Sequence, residues 1–105
     1  MNIRMEYLYR DAGNYKNWGE VVFSNPNSLP ICLAEQMVSE FLIERQYFLA
    51  NSVGLPDLHF AEHNDELDHD WHEFHAFAFT KDASDDLQGR SIEKLIDCLR
   101  SKCIV

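Results

Sequence analysis

The stretch Trp71 to Thr80 alternates, and it carries apolar or aromatic side chains on both phases of the alternation. In an extended chain successive side chains point to opposite faces. Trp71, Glu73, His75, Phe77 and Phe79 then share one face, and His72, Phe74, Ala76 and Ala78 share the other. A strand that is apolar on both sides belongs at the centre of a sheet, with the rest of the chain packed around it.

The remaining segments supply partners for such a strand. Ile3 to Tyr9 alternates, with Ile3, Met5, Tyr7 and Tyr9 on one side. A second strand is expected over Trp18 to Phe23, rich in β-branched and aromatic residues. Asp11-Ala12-Gly13-Asn14 breaks the chain between them, so the two should pair as a hairpin with a long connection. From Cys32 to Glu44 the period changes to that of an amphipathic helix, with Leu33, Met37, Val38, Phe41 and Leu42 as its stripe. Tyr47-Phe48-Leu49 reads either as the last turn of that helix or as a short strand. A last helix follows Ser91, a candidate N-cap, with Ile92, Leu95, Ile96 and Leu99 as its buried stripe. The expected fold is therefore α+β: a small antiparallel or mixed sheet packed against two helices. The length of 105 residues suits a single globular domain over residues 1–105.

Charge narrows the partners. The chain carries 18 acidic and 9 basic side chains, a net charge of −9. Its basic residues are scattered singly, with no cluster to meet phosphates, so general nucleic-acid binding is not expected. Opposite potentials speed encounter, so a basic protein is easier to accommodate as a partner than a nucleic acid, although keeping the chain soluble is by itself a sufficient and more general reason for the charge. Three cysteines fit neither a disulfide framework nor a zinc-ribbon spacing, which points to a reducing compartment. No apolar run reaches membrane-spanning or signal-peptide length. A cytoplasmic location, no membrane contact and no cofactor are expected.

Three sets of residues could carry chemistry. All five histidines lie between His59 and His75, among Asp57, Glu62, Asp65, Glu66, Asp68, Asp70 and Glu73. Imidazole and carboxylate are transition-metal ligands. His59 and His63 form the best pair, because i and i+4 share a face in helix and strand alike. The stretch lacks any metal-binding motif, however, and no metal site is favoured. His72 and His75 should point apart in a strand and not hold one ion together. The second set is the polar turn Tyr9-Arg10-Asp11 with Asn14-Tyr15-Lys16, where Arg10 could fork onto an anion and Lys16 add a charge. The third is Trp71-His72-Glu73, in which a histidine adjoins a carboxylate. Neighbouring strand residues face opposite ways, so His72 and Glu73 should not act on one proton.

Two of these stretches carry a likeness. Tyr9-Arg10-Asp11-Ala12-Gly13-Asn14-Tyr15-Lys16 and Asp68-His69-Asp70-Trp71-His72-Glu73-Phe74, with Val53-Gly54-Leu55-Pro56-Asp57-Leu58 between them, resemble a group of small uncharacterised bacterial proteins. The likeness runs from about Glu6 to Phe74. That group has no known activity to carry over, so the resemblance implies only a bacterial source and a stand-alone domain. It directs attention to Arg10, Asp11, Asn14, Lys16, Trp71, His72 and Glu73 as binding residues, and leaves His59, His63 and His75 outside.

The function expected from the sequence is that of a small acidic accessory domain that contacts another protein. One rival is a hydrolase or nuclease-type enzyme using the Arg10–Lys16 turn with Trp71–Glu73. Another is a metal-binding protein using the stretch His59–His75. A concave polar pocket favours an enzyme, and a flat acidic face with an apolar patch favours a binder.

Overall fold

The alternation at the N-terminus forms β1, Asn2–Arg10, and the aromatic run after the turn forms β2, Lys16–Phe23. They pair antiparallel from Ile3↔Phe23 to Arg10↔Lys16. The computed structural model describes residues 1–60 and 69–102. Within them the chain continues through α1 (Ile31–Phe41), β3 (Tyr47–Phe48), a 3₁₀ turn (Ala50–Val53), β4 (His72–Thr80) and α2 (Ile92–Lys102). The four strands make one antiparallel sheet in the order β2-β1-β4-β3, so the doubly apolar strand does sit inside the sheet.

The faces of β4 are not those of a simple alternation. Tyr7 lies opposite Phe74, but Glu6 lies opposite Ala76, and His75 has no partner. This β-bulge places two residues against one and inverts the phase beyond it. His72 and Phe74 before the bulge therefore share a face with Phe77 and Phe79 after it. The rings of Phe74 and Phe77 meet at 4.9 Å. That face carries Ile3, Met5 and Tyr7 on β1 and Val21 and Phe23 on β2, all buried in one core cluster.

Both helices cover this inner face. The stripe of α2 is buried as the periodicity predicts: Ile92, Leu95, Ile96 and Leu99 are all at most 2% exposed. The Ser91 hydroxyl accepts from the Lys94 N–H, the bond of an N-cap. The α1 stripe needs correction. Leu33 is 42% exposed, whereas Ala34 and Val38 are fully buried. The small Ala34 lets the helix approach closely, and that centres the buried stripe one residue further on. The helix also ends at Phe41, because Leu42 turns extended. β3 borders only His72 and Glu73; further along β4 the Phe77 N–H is met by the Glu35 carboxylate of α1. Among the described residues no helix is long and apolar enough to cross a membrane.

Candidate functional site

The segment between the 3₁₀ turn and Phe60 forms neither helix nor strand, yet it is tied to the inner face residue by residue. Gly54 begins it in the left-handed region, at φ 70°. That backbone conformation favours glycine, which has no Cβ to strain it. The Tyr7 hydroxyl donates to the Pro56 carbonyl at 2.7 Å, and the Asn17 amide donates to the Leu58 carbonyl at 3.0 Å. Gly19, opposite Tyr7 in the pairing, leaves the space that Leu58 fills. A buried pair holds the other end: Arg90 hydrogen-bonds both carboxylate oxygens of Asp86 and donates to the carbonyls of Val53 and Gly54.

Held in this way, the segment brings Asp57 and His59 over the first residue of β4. The Asp57 Oδ1 atom lies 2.9 Å from His59 Nδ1 and 3.5 Å from His72 Nε2. It also accepts from the His59 backbone N–H at 2.8 Å, a local turn that presents both side chains together. One donor atom from each of the three residues lies within 4.8 Å of the others. Tyr9 packs beneath, with its ring 4.4 Å from that of His59 and 5.3 Å from that of His72. The Tyr9 hydroxyl donates to the His69 carbonyl at 2.7 Å, drawing the chain before β4 onto the same corner.

His72 is only 1% exposed. Burial first, and then the neighbouring His59, lower its pKa to about 4, against the pull of Asp57. It is therefore neutral at pH 7. Its Nε2 accepts from the Leu58 N–H at 2.9 Å, which assigns the ring proton to Nδ1. Nδ1 is buried without a hydrogen bond of good geometry; it faces the backbone of Asp70, which acts weakly to raise the pKa. Burial, with the Asp57 charge, raises the Tyr7 hydroxyl well above the usual tyrosine range, so it remains a donor. A cavity of about 380 Å³ opens against this trio, lined also by Leu49, Ala50, Asn51, Ser52 and Asp70.

No protein family, curated protein or solved structure matches the chain. Function must therefore be argued from the corner itself.

The two stretches singled out in the sequence meet on both faces of the sheet, Arg10 with Glu73 on one and Tyr9 with His69 and His72 on the other. Arg10 grips Glu73 with two parallel hydrogen bonds, 3.0 and 3.1 Å, and its third nitrogen donates to Asn14. The Glu73 hydrogen bond and charge raise the Arg10 pKa further. Asp11 holds the turn, accepting from the Tyr15 N–H at 2.8 Å, and Lys16 is exposed opposite Arg10. Trp71 stacks on Tyr47, with ring centroids 5.4 Å apart. His72 alone of the seven enters the cavity. His75 lies on the other face, edge-on to Trp18. Of the pair His59 and His63, His63 lies outside the described residues. Asp57 could have been found from its place two residues before His59. Asn51 and Ser52 carried no sequence signal.

Proposed function

We propose that this domain binds one divalent transition-metal ion, of the zinc or iron(II) type, through Asp57, His59 and His72. The convergence of two imidazoles and one carboxylate at the cavity wall carries the reading. Ligand bonds of about 2.0–2.2 Å in tetrahedral array place donor atoms roughly 3.3 Å apart. The separations of 2.9 and 3.5 Å from Asp57 bracket that value. His72 is already neutral, so no proton competes for its ring. Loading displaces the Leu58 N–H from His72 Nε2 and calls for the His59 tautomer that carries its ring proton on Nε2. The choice over contact with a partner protein follows from shape, because these groups line a concavity and not a flat acidic face.

The test is a zinc titration of chelator-treated protein by calorimetry, with metal content read by mass spectrometry. One ion per chain is expected. His59→Ala should weaken affinity by at least about tenfold, and His75→Ala should leave it unchanged. Equal affinity in the wild type and His59→Ala would refute the site.

A further inference from the structure

We infer that the domain pairs with a second copy of itself along the outer edge of β2, with Trp18 against the partner's Trp18 and Lys16 against the partner's Glu20. This is independent of the metal reading above.

The backbone sets the edge. β2 is the end strand in the order β2-β1-β4-β3. The Val22 N–H donates to the Asp85 carboxylate at 2.7 Å, and the Val22 carbonyl accepts from the Asp85 N–H at 3.0 Å. Both groups of Val22 therefore point away from β1. Residues of an antiparallel strand alternate in the side to which they offer these groups. The register with β1 runs from Phe23 to Lys16 without a bulge, so the alternation holds along β2. Lys16, Trp18 and Glu20 then present their N–H and C=O groups outward, as Val22 does. Asp85 closes the edge at Val22, and the turn closes it before Lys16. The run between is centred on Trp18. An antiparallel copy placed with Trp18 opposite itself brings Lys16 opposite Glu20 twice, each a hydrogen-bonded pair, under one twofold axis.

The side chains agree with that symmetry. Lys16, Trp18 and Glu20 share the outer face of the sheet, away from the helices, and all three are exposed. Trp18 is 53% exposed, and its ring meets that of His75 edge-on at 5.0 Å. Glu20 touches Arg4 at 3.5 Å and still leaves 61% of its side chain exposed. Edge strands that repel their copies carry charges that cannot be matched across the pairing. Here the charges are of opposite sign and equidistant from the centre, so the symmetric pairing sets unlike charges face to face and two indoles side by side. A net charge of −9 opposes contact between copies in general, and this edge offsets it locally. An extended basic segment would satisfy Glu20 but would be opposed by Lys16, so the edge complements itself better than it complements a cationic partner. One short pair of strands is at the small end of specific interfaces, and a weak, concentration-dependent dimer follows.

The test is sedimentation of the chelator-treated full chain from micromolar to millimolar concentration, with amide hydrogen exchange followed by NMR over the same range. A dimer is expected to form, with the Trp18 and Glu20 amides becoming protected as it does. Lys16→Glu and Glu20→Lys should each weaken it at least about tenfold, because both pairs turn from unlike to like charge. Mixing the two single variants should restore association as a heterodimer, and Lys16→Glu combined with Glu20→Lys in one chain should restore the homodimer. These are exposed positions, and circular dichroism checks that each variant is folded. A chain monomeric throughout the range overturns the inference. So does a dimer indifferent to both charge reversals, or one that protects neither amide. Protection that appears only on adding a blocked arginine-rich peptide gives the edge to a basic partner and overturns it as well.

Discussion

His72 and Glu73 are adjacent, and the strand gives them unrelated work. His72 points into the core, where burial keeps its ring neutral and its Nε2 accepts from the Leu58 N–H at the cavity wall. Glu73 points to the other face, where only 9% of its side chain is exposed and Arg10 meets both of its oxygens. Arg10 is thus a structural partner of Glu73, and the fork that could have gripped an external anion is occupied. Removing Arg10 leaves a largely desolvated carboxylate without its cation, which is worse than removing both charges. We expect Arg10→Ala to lower the melting temperature, and Arg10→Ala with Glu73→Gln to recover part of the loss. Zinc affinity should be unchanged in both, since neither residue touches the cavity. A melting temperature for the double variant below that of Arg10→Ala would show that the pair does not act as argued.

At the scale of elements, regular structure was legible and the site was not. Alternation in β1 and the stripe of α2 follow from period alone, and both appear as read. The bulge at His75 has no such signal. Ala76 and His75 fit either face, so nothing in the sequence marks where the phase inverts. The inversion nonetheless determines that Phe77 joins His72 on the inner face. The segment from Pro56 to Phe60 is equally silent, because its order comes from Tyr7, Asn17 and Gly19, distant in sequence. Gly19 shows this dependence most directly. A Cβ added there would lie 2.9 Å from both methyl carbons of Leu58. Leu58 has to give way, and it lies between two of the proposed ligands. Gly19→Ala should destabilise by about 1–3 kcal/mol, as overpacking does, and weaken zinc binding as Asp57 and His59 shift. Joined to Leu58→Ala, it should cost less than the sum of the single effects, because the two occupy one space. Denaturant unfolding of the four proteins checks this, and strict additivity would show that Leu58 does not register the substitution.

Across the whole molecule, two buried ionisable groups among the described residues make stability depend on pH, in separate windows. Metal-free His72 takes a proton near pH 4 in the folded protein, against an ordinary value of 6.5. Between those values the unfolded chain binds more protons, so falling pH favours unfolding. The contribution is fully present above pH 6.5 and declines until about pH 4, a loss on the order of 3 kcal/mol. That is a large part of the roughly 5–15 kcal/mol that holds a domain together. Asp86 acts lower. Burial works to raise its pKa, but the hydrogen bonds and charge of Arg90 prevail and hold it below the ordinary 3.8. Its contribution is present above that value and is lost as pH falls through the depressed one, releasing the clamp on Val53 and Gly54. Acid should therefore weaken the domain first at the cavity and then at the base of α2. We expect urea unfolding with chelator present to show stability falling from pH 6.5 to 4 in the wild type. His72→Gln, which keeps an acceptor for the Leu58 N–H without titrating, should be markedly flatter over that range. Both proteins should then lose stability together below about pH 4. Parallel decline of wild type and His72→Gln between pH 6.5 and 4 would place the acid sensitivity elsewhere and remove the argument that His72 is held neutral by burial.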